Sequence, residues 1–131
     1  MNIKALTAAL ATAALLAACG TTAPTTSKPS TPTQASDGTL IGPNGRTLYT
    51  FARDVAGSGK SACVDTCAAN WPPLGVTPTA VPLGDYTIIT RADGSKQWAF
   101  KGLPLYYSVK DTKAGDKLGD GVAGNWKVAK P

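Results

Sequence analysis

The chain has 131 residues, with 13 Lys and Arg against 8 acids that are all Asp, and it carries no His, 3 Cys and 1 Met. That length and a formal charge of +5 describe one small domain with room for a modest core. The absence of His excludes Ser-His-Asp and Cys-His catalysis and the His-based zinc, copper and haem sites. An odd number of cysteines leaves one to be explained in an exported protein.

The odd one is met first. Residues 1–18 consist of a short start with Lys4 and an apolar run from Ala5 to Ala18, which predicts a signal peptide. The run is too short to span a bilayer, which takes about 20 residues. Leu16-Ala17-Ala18-Cys19 resembles the lipobox of bacterial lipoproteins. The resemblance implies that Cys19 carries a diacylglyceryl thioether and becomes the first residue of the mature chain, anchored in the membrane without crossing it. Processing removes Lys4 and Met1, which leaves 12 bases against 8 acids, or +4, and no thioether for a copper site. Gly20 after the lipidated Cys resembles the pattern sent on to an outer membrane, where the domain would face the periplasm if the source has two membranes.

From Cys19 to Ser36 the chain is a tether. The stretch GTTAPTTSKPSTPTQAS has no aromatic and no large aliphatic residue, so it cannot build a core. Its prolines favour extended geometry with a reach of roughly 50 Å. All nine aromatic residues follow position 37, so the globular domain is placed at 37–131. Its pattern is mainly β. Strand-like runs occupy 47–51, 86–90 and 97–100, punctuated by the turn pairs Asn44-Gly45, Asp93-Gly94 and Lys101-Gly102. Only 61–71, which begins on Ser61 and stops at Pro72-Pro73, reads as helix.

The domain is duplicated, with units at about 38–74 and 86–131. At an offset of 57, Gly45-Arg46-Thr47-Leu48-Tyr49 aligns with Gly102-Leu103-Pro104-Leu105-Tyr106, and each copy reaches an Asp five residues after its Tyr, at Asp54 and Asp111. Asn70-Trp71 and Asn125-Trp126 follow at an offset of 55. Two β units packed into one core are expected. Tandem Tyr-x4-Asp motifs, together with Cys63-x3-Cys67-Ala68-Ala69-x-Trp71-Pro72-Pro73-Leu74, resemble bacterial lipoproteins built from a secreted repeat of unknown function. The resemblance covers nearly all of 38–131 and implies architecture and compartment, with no activity to carry over. One departure is Ser108, where that family prefers an aromatic residue.

Each candidate residue has a plain and a functional reading. Tyr49 and Phe51 fill a core while Asp54 caps the following turn with Gly57, or the paired tyrosines and aspartates Tyr49, Asp54, Tyr106 and Asp111 converge on a small ligand or metal ion. Cys63 and Cys67 form a structural disulfide outside the cytoplasm, or a thiol-disulfide or Cu(I) site. Asp111, Asp116 and Asp120 make an oxygen-rich loop, but interleaved lysines and the wrong spacing favour a solvated turn over calcium, so no metal site is assigned. Trp71, Trp98 and Trp126 are core residues. Scattered lysines in this compartment argue against nucleic acid as a partner.

The expectation is a lipid-anchored envelope protein with no catalytic residues and no cofactor. It would act as a non-enzymatic binding or interaction module toward an envelope protein or polymer.

Overall fold

The computed structural model describes residues 31–131; residues 1–30, which hold the expected signal peptide, Cys19 and most of the expected tether, lie outside the described residues. The strands are β1 Thr33–Gln34, β2 Leu40–Ile41, β3 Tyr49–Phe51, β4 Tyr86–Thr90, β5 Lys96–Phe100, β6 Leu103–Pro104 and β7 Trp126–Val128, with one α-helix, α1, at Thr66–Asn70 and a short 3-10 helix at Val122–Gly124. Strands β1–β2, β3–β7 and β4–β5–β6 pair antiparallel. The mainly β, duplicated architecture follows the sequence pattern.

Each repeat opens on a hairpin whose turn is set by Asp-Gly. Asp37 Oδ1 accepts from the Thr39 amide at 3.0 Å, and Asp93 Oδ1 accepts from the Ser95 amide at 2.9 Å. A carboxylate bonding the backbone two residues on nucleates such a turn, and the glycine takes the positive φ that follows. The first of these hairpins carries the fold back into the segment read as tether. Pro32 is buried and Thr33–Gln34 pairs with Leu40–Ile41, so the domain begins before residue 37. Both β1 side chains are exposed. Its pairing is therefore purely backbone and leaves no hydrophobic signature in the sequence.

The helix is shorter than the 61–71 expected. The Ala62 amide is held by Asp54 and the Cys63 carbonyl by Arg91, so these groups are tied up outside any helical ladder. Asp65 then takes φ 53°, which breaks the ladder before α1 can start. Ser61, at the expected start, accepts from the Cys63 amide at 3.3 Å and also lies 2.6 Å from Tyr106 Oη. The stop holds where expected: α1 ends at Asn70, and Trp71 and Pro72-Pro73 lead away from it.

The final segments of the two repeats are exchanged. Leu74, at the end of the first repeat, donates its amide to Leu105 O at 2.9 Å and accepts from the Trp98 amide at 3.0 Å, both in the second repeat. Ala129, at the end of the second, donates to Leu48 O at 2.8 Å and accepts from the Leu40 amide at 2.9 Å, both in the first. Leu40, Leu48, Leu74, Trp98, Phe100, Leu105 and Ala129 form one buried cluster containing residues of both copies. Between the exchanged ends, Tyr49 and Tyr106 trade amide-to-carbonyl bonds of 2.8 and 3.0 Å. These two residues are the point about which one repeat maps onto the other.

A repeat on its own lacks the segment that completes its sheet. Fragments 31–80 and 81–131 should each lack a folded monomeric state by circular dichroism, and an equimolar mixture should recover the native spectrum. A fragment that dimerises with itself is compatible with this exchange; a fragment that folds as a monomer contradicts it.

Candidate functional site

The Tyr-x4-Asp residues come together, and they do so crosswise. Tyr49 Oη donates to Asp111 Oδ2 at 2.6 Å, and Tyr106 Oη donates to Asp54 Oδ2 at 2.7 Å, so each phenol serves the carboxylate of the other repeat. The second oxygen of each carboxylate is also taken. Asp54 Oδ1 accepts from the Ala62 amide at 2.6 Å and Asp111 Oδ1 from the Leu118 amide at 2.9 Å. Both tyrosines are 0% exposed, and Asp54 and Asp111 are 8% and 2% exposed. A buried carboxylate is tolerated when its lone pairs are met by donors, and two donors each meet that need here.

This geometry overturns the expectation that the four side chains converge on a ligand or metal ion. Their polar atoms are directed at one another and at the backbone. It also modifies the plainer reading, because Asp54 anchors the distant Ala62 amide and the opposite repeat rather than its own turn. Gly57 instead donates its amide to Gly102 O across the repeats at 3.1 Å.

Around the paired phenols stands a column of aromatic rings. Trp71 and Trp126 stack with centroids 3.8 Å apart and planes 6° from parallel. Tyr49 meets Trp71 edge-on at 5.4 Å, and Tyr106 meets Trp126 edge-on at 5.2 Å. Phe51 stacks on the other face of this column, against Trp126, at 4.4 Å. Offset and edge-on contacts of this kind add to simple burial. Gly119 passes so close that a Cβ there would lie 2.7 Å from the Trp71 ring and 3.0 Å from the Tyr49 ring. Trp98 is also buried but belongs to the other cluster, among Leu40, Leu74 and Leu105. All three tryptophans are therefore core residues.

The two halves differ in what completes each Tyr–Asp pair. Tyr49 Oη accepts from the Gly119 amide at 3.2 Å. Tyr106 Oη instead lies 2.6 Å from Ser61 Oγ, which accepts from Arg91 Nη1 at 2.9 Å. Arg91 further donates to Gln97 Oε1 at 2.8 Å and to Cys63 O at 2.7 Å, and Gln97 Nε2 donates to Leu105 O at 2.7 Å. Donors and acceptors run in one direction, from guanidinium through two hydroxyls to the Asp54 carboxylate. A buried cation and a buried anion are thus joined by neutral groups, which compensates both charges without direct contact. Arg91 and Gln97 were not singled out from sequence. An Arg followed by Ala-Asp-Gly reads as the solvated flank of a turn, and a lone Gln in an aromatic strand carries no sign of burial.

Cys63 and Cys67 are bonded to each other, with Cα atoms 5.2 Å apart. Cys63 is fully buried in the aromatic cluster and Cys67 packs against it. A loop this short contributes about 2 kcal/mol on the chain-entropy estimate. The bond fixes the segment that supplies both the Ala62 amide and the Cys63 carbonyl to the network.

The acidic loop resolves into separate local duties. Asp111 belongs to the Tyr49 pair, Asp116 Oδ2 accepts from the Thr112 and Lys113 amides at 3.0 and 3.3 Å, and Asp120 Oδ1 accepts from the Val128 amide at 3.2 Å. Those amide bonds hold the Asp116 carboxyl below its ordinary range.

Sequence comparison agrees with this twofold construction. A family model described as a secreted repeat of unknown function matches twice, over residues 31–75 and 87–130. The chain belongs to this family. No curated protein and no solved structure matched. The first match begins at 31, so the secreted repeat includes β1, as the backbone pairing does. Each match also contains one tyrosine and one aspartate of the crossed pairs, together with the Trp of the stack. The two repeats are therefore needed together to make either Tyr–Asp bond.

Burial raises the phenols of Tyr49 and Tyr106 well above the ordinary tyrosine value, and their bonds to the aspartates add to the shift. A raised folded-state pKa stabilises the fold fully below the unfolded value of about 10, and that contribution is lost as pH climbs beyond it. Thermal stability should hold through neutral pH and fall above roughly pH 10. Tyrosinate absorbance from these two residues should then appear together with loss of the near-ultraviolet dichroism. Reversible titration of all four tyrosines near pH 10 in a fully folded protein would contradict the crossed pairs.

Proposed function

We propose that the protein is a lipid-anchored envelope module, tethered through Cys19, that acts by binding a partner and catalyses no reaction. The observation that carries this reading is the inward engagement of the motif side chains. The groups best able to act as acids, bases or ligands are bonded to one another inside the fold. Among the exposed lysines and aspartates of the surface stand apolar side chains, with Val55, Val109 and Leu118 exposed at 67%, 51% and 60%. Exposed aliphatics beside grooves are features of a contact surface.

The lipobox-like sequence at Leu16–Cys19 and the secreted character of the family support placement in the envelope, at an outer membrane facing the periplasm where the cell has one. The partner class that fits best is another envelope protein. Scattered lysines supply only diffuse attraction to anionic polymers and favour no nucleic acid. Thiol-disulfide or Cu(I) chemistry at Cys63 and Cys67 is the weaker reading, because using both sulfurs requires opening the buried aromatic cluster that covers Cys63.

Metabolic labelling with an alkyne fatty acid should mark the full-length protein and fail to mark Cys19→Ala. In-cell crosslinking of the labelled form should recover a defined envelope protein that an unrelated domain on the same tether does not recover. Equal labelling of Cys19→Ala removes the anchor from the proposal. Recovery of the same set by both domains removes the binding role.

A further inference from the structure

The opening hairpins of the two repeats differ in what their outer edges present. In the second, the Arg91 amide donates to Ser95 O at 2.7 Å and the Lys101 amide to Asp85 O at 2.9 Å. Antiparallel ladders alternate, so between these bonds Thr87 and Ile89 turn their main-chain groups toward β5, while Tyr86, Ile88 and Thr90 turn theirs away. Tyr86 exchanges its outward pair with Leu83, at 2.9 and 3.0 Å. Among the described residues β4 is the last strand of its sheet, and no main-chain bond meets the outward amides and carbonyls of Ile88 and Thr90. In the first hairpin the Ala35 amide donates to Thr39 O at 2.8 Å as Arg91 does to Ser95, so Pro32 stands where Ile88 stands in the second. A proline has no N–H to offer and closes that edge to pairing.

We propose that the open edge of β4 pairs with the same edge of a second copy of the chain, antiparallel about a twofold axis at Ile89. In that register Ile88 of each copy faces Thr90 of the other and exchanges amide-to-carbonyl bonds with it, so every outward group on the open stretch is met. Three observations select a second copy as the occupant. The open stretch is bounded by Leu83 at one end and by the turn from Arg91 to Gly94 at the other, so it takes a short strand that turns away at both ends, as β4 itself does. Tyr86–Thr90 carries no charge, no Pro and no Gly and consists of aromatic and β-branched residues, the composition of strands that pair with their own kind. Thr87 and Thr90 are exposed and Ile88 is half-buried, so a second strand reaches the edge without rearranging the core. The contact is small, which makes it reversible and favours it where anchoring holds many copies in one plane. The inference goes beyond the partner-binding reading, which neither requires nor forbids it.

The test uses the mature lipoprotein in phosphatidylcholine liposomes with a nitroxide on Thr87→Cys, an exposed position whose own amide faces β5. An axis at Ile89 places the two labelled Cα atoms about 14 Å apart, from the strand rise and spacing, which is close enough for dipolar broadening of the spectrum. An excess of unlabelled protein should remove the broadening. A nitroxide on Lys127→Cys, exposed in β7, should show none. Ile88→Pro, which gives the second hairpin what the first has at Pro32, should abolish the broadening at Thr87→Cys. Thr90→Pro removes the other outward amide at an exposed side chain; it should have the same effect and decides the matter if Ile88→Pro fails to fold. Broadening absent from folded Thr87→Cys, equal broadening at Lys127→Cys, or broadening that survives in folded Thr90→Pro would overturn the proposal. Failure of self-pairing while crosslinking still recovers a different envelope protein overturns this inference alone and leaves the binding role standing.

Discussion

The constraint on which the structure depends is the direction in which two phenols point. If Tyr49 bonded Asp54 and Tyr106 bonded Asp111, each repeat would satisfy its own buried carboxylate without the other. Because each phenol crosses to the other copy, neither carboxylate can be buried with its donors in place unless both repeats are folded and joined. An orphaned buried acceptor costs about 1–3 kcal/mol, and more when charged. In a domain this small, that is a large share of the net stability. The exchanged terminal segments and the stacked tryptophans follow the same rule, since Leu74, Ala129, Trp71 and Trp126 all find partners in the opposite half.

Within that shared frame the halves have diverged, and the differences show how each site is finished. The carboxylate of the first repeat is surrounded by a disulfide-fixed segment and Ser61 of its own repeat and by the buried Arg91 of the second. The second uses backbone amides of Leu118 and Gly119, where the glycine lets Trp71 and Tyr49 close in. The first repeat caps the aromatic column with Phe51, whereas the second places Ser108 at the equivalent position, where it is buried.

Much of this was legible in the chain. Glycine-punctuated runs of aromatic and β-branched residues marked strands β3, β4 and β5, the two Tyr-x4-Asp copies marked the duplication, and the cysteine pair marked the disulfide. Three things were not legible, each for a physical reason. Strand β1 presents only polar, exposed side chains, so its place in the fold is written in backbone bonds that composition does not record. The helix lost its first turn to Asp54 and Arg91, groups distant in sequence that claim the Ala62 amide and the Cys63 carbonyl. The crossing of the pairs cannot be read from spacing, because Tyr-x4-Asp suits a contact within one motif as readily as a contact between two.

The crossing is tested most directly by coupling free energies. Tyr49→Phe combined with Asp111→Asn, and Tyr106→Phe combined with Asp54→Asn, should each show an interaction of at least about 1 kcal/mol in equilibrium unfolding. The pairings within a motif, Tyr49→Phe with Asp54→Asn and Tyr106→Phe with Asp111→Asn, should add to within roughly 0.5 kcal/mol. Strong coupling within motifs and additivity between them would contradict the account.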